Sequence, residues 1–131
     1  MPRPTLDETP LEVLTPRRGF PTISEPPLRL RLDPEPDDAG RRWLHLHGEF
    51  DARAVELVCA AVDHVLRSGR DVVVDVGSVE FCDASAARAL LACAHQAAAA
   101  RRTIRVVNAR PFQRRLLATL RVEEMVSVEG P

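Results

Sequence analysis

Residues 71–86, Asp-Val-Val-Val-Asp-Val-Gly-Ser-Val-Glu-Phe-Cys-Asp-Ala-Ser-Ala, constrain the fold more than any other stretch of the chain. So short an apolar run as Val72 to Val76 is either a buried strand or the inside of a helix. Its β-branched residues, and the Gly77-Ser78 break directly after it, decide for a strand over 72–76. Asp83 then stands at the head of a second periodic segment, Ala84 to Ala100, long and alanine-rich enough to be a helix. An Asp at that boundary is a good N-cap, because its carboxylate accepts from the unpaired N–H groups of the first turn. The hydroxyl of Ser85 is thereby placed in that turn, where the helix dipole and free amides best tolerate a phosphate.

The rest of the chain organises around this unit. Leu28-Arg-Leu-Arg-Leu32 alternates strictly and reads as a half-buried strand. Residues 33–40 form a turn region, and Trp43 to Gly48 a second strand antiparallel to the first. Asp51 can cap a helix running to about Leu66, with Val55, Val58, Cys59, Val62, Val65 and Leu66 on its apolar side, and Ser68-Gly69 stops it. After the central strand and helix come a strand over Thr103–Val107, a helix from Pro111 to about Leu120 and a last short strand, Met125–Val128. Pro111 suits the first helical turn, where it sacrifices no needed N–H. This β-β-α-β-α-β-α-β order predicts an α/β single domain: a mixed sheet of about five strands, with right-handed crossovers placing the helices mainly on one face. Function then belongs at the C-terminal edge of the central strands, where a 77–85 loop is expected to emerge.

Nine of the 11 prolines fall within the first 36 residues. Residues 1–27 therefore read as a disordered proline-rich tail, and 28–131 as the domain. With 131 residues, a net charge of −1 and a pI near 6.4, the chain is one domain without the bulk basic charge that nucleic acid or an anionic membrane surface selects. No long uncharged apolar run and no signal-peptide pattern are present, so a cytoplasmic protein is expected. Three cysteines, Cys59, Cys82 and Cys93, without a CxxC spacing, fit free thiols in a reducing compartment. All 18 basic residues are Arg, and the absence of Lys excludes a Gly-x-x-x-x-Gly-Lys phosphate loop.

The segment Asp75-Val76-Gly77-Ser78-Val79-Glu80-Phe81-Cys82-Asp83-Ala84-Ser85-Ala86-Ala87 resembles the switch region of the STAS domain, the module of anti-sigma factor antagonists and sulfate-transporter tails. Gly48-Glu49-Phe50-Asp51 is similar to the family's Gly-Glu-Leu-Asp, and Arg105 to Arg121 to its last strand, turn and helix. The resemblance spans residues 28–129. It implies a STAS-like fold and a non-catalytic binding module that captures a serine-kinase-type anti-sigma factor and so frees a sigma factor. Asp51, Asp83, Ala84, Ser85, Ala86 and Ala87 are then the expected partner-binding residues. The family's phosphorylated serine directly follows the Asp, and here that position is Ala84; Ser85 matches the neighbouring Ser/Thr, and the family glycine is Ala86. Either Ser85 takes over as phosphoacceptor or the switch is dead and binding is constitutive.

The same residues have plainer readings. Asp51 and Asp83 serve as helix caps without any function. Asp51, Asp75 and Asp83 could cluster as oxygen ligands, but capping and turn roles explain each more simply, so no metal is expected. His45 and His47 alternate with Leu44 and Leu46; a solvated strand face explains them better than zinc, for which two further ligands are lacking. Cys82 reads as a small buried apolar group rather than a nucleophile. Cys59 and Cys93 lie on the apolar sides of neighbouring helices, where packing is the default and a redox disulfide the alternative. The chain is thus read as no enzyme, with no cofactor, nucleic-acid partner or membrane partner, and a homodimer stays open. The alternative function is a STAS scaffold, or a small-ligand or lipid-transport accessory subunit, without a phospho-switch.

Overall fold

The computed structural model describes residues 27–131. The tail expected over 1–27 lies outside the described residues except for Pro27, whose carbonyl accepts from the Glu49 N–H at 2.7 Å. Strand β1, Leu28–Leu32, buries its three leucines and exposes Arg29 and Arg31, as strict alternation on a one-sided sheet requires. It runs antiparallel to β2, Arg42–Phe50, which is longer at both ends than the 43–48 expected. Between them, Asp37 gathers the turn: its carboxylate accepts from the Ala39 and Arg41 N–H groups, the Arg41 side chain and the Trp43 indole.

A 3-10 turn, Ala52–Ala54, leads into helix α1, Val55–Arg67. Its buried stripe is Val58, Ala61, Val62, Val65 and Leu66, while Val55 and Cys59 are only half-buried. The helix ends where Ser68 Oγ donates to the Val65 carbonyl at 2.6 Å, and Gly69 follows with φ +81°. Strand β3, Val72–Cys82, leads to helix α2, Ala84–Ala99; β4, Ile104–Val107, leads to helix α3, Pro111–Thr119. A second 3-10 turn, Val122–Glu124, precedes β5, Ser127–Val128, so the last strand begins later than Met125.

The sheet order is β1-β2-β3-β4-β5, antiparallel only between β1 and β2. Helices α1 and α2 pack side by side over β2, β3 and β4, and α3 packs against α2. The face beneath them carries Leu30, Leu44, Leu46, Val74, Val76, Ile104 and Val106, all buried. The opposite face carries Arg29, Arg31, His45, His47, Asp75 and Arg105. Val73 and Val107 lie on that face as well and are buried, so the uncovered face is largely polar around a small apolar centre.

One element departs from the sequence reading. Residues 77–82 are not a loop: β3 continues through them, paired with the end of β2. His45 pairs with Asp75 and His47 with Ser78, so Val76 and Gly77 oppose Leu46 alone; Gly48 pairs with Val79 and Glu49 with Phe81, so Glu80 is extra. Each extra residue is a β-bulge, which bends and twists the strand. Across the bulges the core-facing apolar residues stand three apart, at Val76, Val79 and Cys82, so the period of two that marks a strand is lost. On β2, Gly48 meets this region with φ +114°, and a Cβ there would lie 2.4 Å from the Pro27 carbonyl oxygen. Only glycine fits that close approach.

Candidate functional site

Strands β2 and β3 end level with each other, with Phe50 opposite Cys82. Both then make the same transition into a helical segment. Asp51 (φ −127°, ψ −165°) accepts from the Arg53 N–H at 2.9 Å, and Asp83 (φ −130°, ψ −169°) accepts from the Ser85 N–H at 2.9 Å. The two capping aspartates thus stand on adjacent strand ends, at the C-terminal edge of the sheet. They differ in their further partners. The Arg53 guanidinium embraces both Asp51 oxygens and reaches Glu49 at 3.0 Å, holding the Asp51 carboxyl below its ordinary pKa. Asp51 caps the 3-10 turn rather than α1 itself, which begins at Val55.

In the first turn of α2, Asp83, Ala84 and Ser85 are half-buried at the surface. Ala86 and Ala87 are 2 % and 0 % exposed and belong to the core. A helix pitch of 3.6 residues explains this, since the two that follow Ser85 rotate onto the buried stripe. Three of the amides that a phosphate on Ser85 would seek are already taken. The Ser85 N–H serves the Asp83 carboxylate, and the Ala86 and Ala87 N–H groups donate to the Asp83 carbonyl at 3.0 and 3.3 Å.

Two residues that sequence reasoning missed, Gln113 and Arg110, hold the bulged end of β3 in place. The buried amide of Gln113 on α3 donates to the carbonyls of Val76 at 3.1 Å and Val79 at 3.3 Å, while its oxygen accepts the Arg110 N–H at 2.7 Å. The Arg110 guanidinium donates to the Val79 carbonyl and lies 5.3 Å from the Phe112 ring centre. Phe81 on the bulged segment is 49 % exposed and Phe112 39 %, so the sheet edge near the α2 start carries two aromatic surfaces. No sequence signal pointed to this, because nothing in a lone Gln marks it as buried.

Asp75 does not join Asp51 and Asp83. It faces the open side of the sheet, where His45 Nδ1 lies 2.9 Å from its Oδ2 and Asn108 Nδ2 and the Gly77 N–H donate to its Oδ1. Burial pushes the Asp75 carboxyl up, and the bonds from Asn108, Gly77 and His45 outweigh it, leaving the pKa below its ordinary value. His45 Nε2 also lies 3.1 Å from Asp33. The three carboxylates therefore do not cluster, and His45 is engaged on both ring nitrogens rather than simply solvated; His47 is exposed. Among the described residues no group of three or more His, Cys, Asp or Glu side chains is placed to hold a metal ion. Cys82 is half-buried, with burial and then the Asp83 charge pushing its thiol up.

Residues 37–127 match the family model described as Mlab, STAS domain. The chain belongs to the STAS domain family. Solved structures share the fold of this STAS domain. An anti-sigma factor antagonist from Mycobacterium paratuberculosis is 19 % identical with a TM-score of 0.68, over 83 % of this chain and 92 % of that one. The anti-sigma factor antagonist SpoIIAA in its unphosphorylated form is 21 % identical with a TM-score of 0.56, over 68 % of this chain and 81 % of that one. SpoIIAA from Bacillus in its phosphorylated form is 19 % identical with a TM-score of 0.58, over 76 % and 89 %. No curated protein sequence matches the chain. No helix among the described residues is long and apolar enough to cross a membrane.

Proposed function

We propose that this STAS domain is a non-catalytic binding module that captures a serine-kinase-type anti-sigma factor in the cytoplasm, without a working phosphorylation switch. The observation that carries the reading is the pair of matched helix starts, Asp51 and Asp83, on adjacent strand ends, with Ala84 where the family's switch serine stands. The contact surface is Asp51, Asp83, Ala84 and Ser85, with the buried Ala86 and Ala87 fixing the pitch of α2 beneath it. Alanine offers no hydroxyl to a kinase. A phosphate on Ser85 would add about −1.5 to −2 charges beside the Asp83 carboxylate, with the Ser85, Ala86 and Ala87 amides already bonded. Binding is therefore insensitive to ATP.

The test is binding of the full chain to the serine-kinase-type anti-sigma factors of its own organism, with and without ATP. Tight, ATP-independent binding is expected, without phosphate incorporation. Ala84→Arg should weaken it at least tenfold by placing an unpaired charge in the contact. Ala84→Ser should gain one phosphate and become ATP-sensitive. Robust phosphorylation of the unaltered chain at Ser85 would overturn the dead switch, and absence of binding to every such anti-sigma factor would overturn the partner. That second outcome favours the other reading, a STAS scaffold or a small-ligand or lipid-transport accessory subunit without a phospho-switch.

A further inference from the structure

Helices α1 and α2 pack closely because the buried stripe of α2 is largely alanine: Ala86, Ala87, Ala89, Ala94 and Ala97. Small residues let two helix backbones approach until short side chains reach across the seam. At that seam the Sγ atoms of Cys59 on α1 and Cys93 on α2 lie 3.9 Å apart, from positions 34 residues distant in sequence. We infer that Cys59 and Cys93 are a redox-sensitive pair, closed by oxidation into a disulfide that ties α1 to α2. The bond requires the sulfurs to approach by about 2 Å more, to the S–S length of about 2.05 Å.

Exposure sets the order of events. Cys93 is fully buried, and burial followed by the adjacent Cys59 sulfur pushes its thiol up, so it is not the sulfur that meets the oxidant first. Cys59 is half-buried and is the sulfur an oxidant can reach. Hydrogen peroxide is the named oxidant. The Cys59 sulfur attacks one peroxide oxygen, the O–O bond breaks, and Cys59 sulfenic acid and one water result. The Cys93 sulfur then attacks the Cys59 sulfur, the S–S bond forms, the S–O bond breaks, and hydroxide leaves with the Cys93 proton as a second water. Two thiols are oxidised and one peroxide is reduced, in balance. Cys82, at the end of β3, is outside this pair and serves as an internal control. The bridge would fasten together the two helices that follow the Asp51 and Asp83 caps, so the oxidation state bears directly on the rigidity of that edge.

The experiment treats the full chain with hydrogen peroxide, blocks remaining thiols by alkylation, and maps disulfide-linked peptides by mass spectrometry. The expected result is one intramolecular Cys59–Cys93 link, alkylated Cys82, a melting temperature raised by roughly 10 °C, and full reversal by dithiothreitol. Cys82→Ser should leave the link intact and Cys59→Ser should abolish it. Peptide mapping of the unaltered chain decides the matter even if a variant folds poorly. Persistence of both thiols at Cys59 and Cys93, linkage through Cys82 instead, or loss of cooperative melting when the bridge forms would each overturn the inference.

Discussion

The two halves of β3 obey different rules. Val72 to Asp75 lies in register between β2 and β4, and its backbone pairing holds it without help. Gly77 to Cys82 lies beyond β4, carries two bulges, and is held on its open flank by side chains, Gln113 and Arg110, that substitute for the missing strand. The regular half builds the domain. The bulged half bends the strand so that Asp83 arrives beside Asp51 and α2 starts at the sheet edge. Regular pairing provides stability there, and irregular pairing provides placement.

The contrast can be broken by substitution. Gly48→Ala forces a Cβ against the Pro27 carbonyl at a left-handed φ, opposite the bulged half, and should cost about 3 kcal/mol in urea denaturation. An unchanged midpoint would mean that the close approach does not set the register. Val74→Ala in the regular half empties part of a fully buried site and should cost about 2 kcal/mol, without changing hydrogen exchange in residues 77–82. Gln113→Leu should cost about 2 kcal/mol, by leaving the Val76 and Val79 carbonyls without their amide. Its signature is local: faster exchange in 77–82 with 72–76 still protected. Uniform acceleration across β3 would show the two halves to be one cooperative unit.

The smallest effect concerns the open face of the regular half. Asp33 and Asp75 both have folded pKa values below the ordinary carboxylate value, and Asp37 in the β1–β2 turn is lowered to about 2, led by its bond from the Trp43 indole. A carboxyl with a depressed folded pKa adds stability that is fully present above its unfolded value and is lost as pH falls through the folded one. Stability should therefore fall from about pH 4 towards pH 2, and Asp75→Asn should flatten this limb. A slope identical to that of the unaltered chain would remove Asp75 from the acid response.

The order of elements was legible because local rules and global packing agree in most of the chain. Leu28 to Leu32 alternates, α2 has an Asp cap and an alanine run, and α3 begins on Pro111. The bulged segment was misread because Gly77-Ser78 looks like a break, and because the apolar residues beyond it are spaced by three. His45 was read as solvated because its partners Asp33 and Asp75 stand 12 and 30 residues away, and no local pattern reports a contact across strands. Ala86 and Ala87 were assigned to a surface by family position, while the helix pitch turns them inward.

By itself the sequence determined the α/β order and the capping aspartates Asp51 and Asp83, since these follow from chain-local preferences for strand, cap and helix. Tertiary structure alone decided where the caps meet, which side chains replace a missing strand and which sulfurs touch. Those depend on register and on contacts between residues far apart in the chain, whose energies no local pattern encodes.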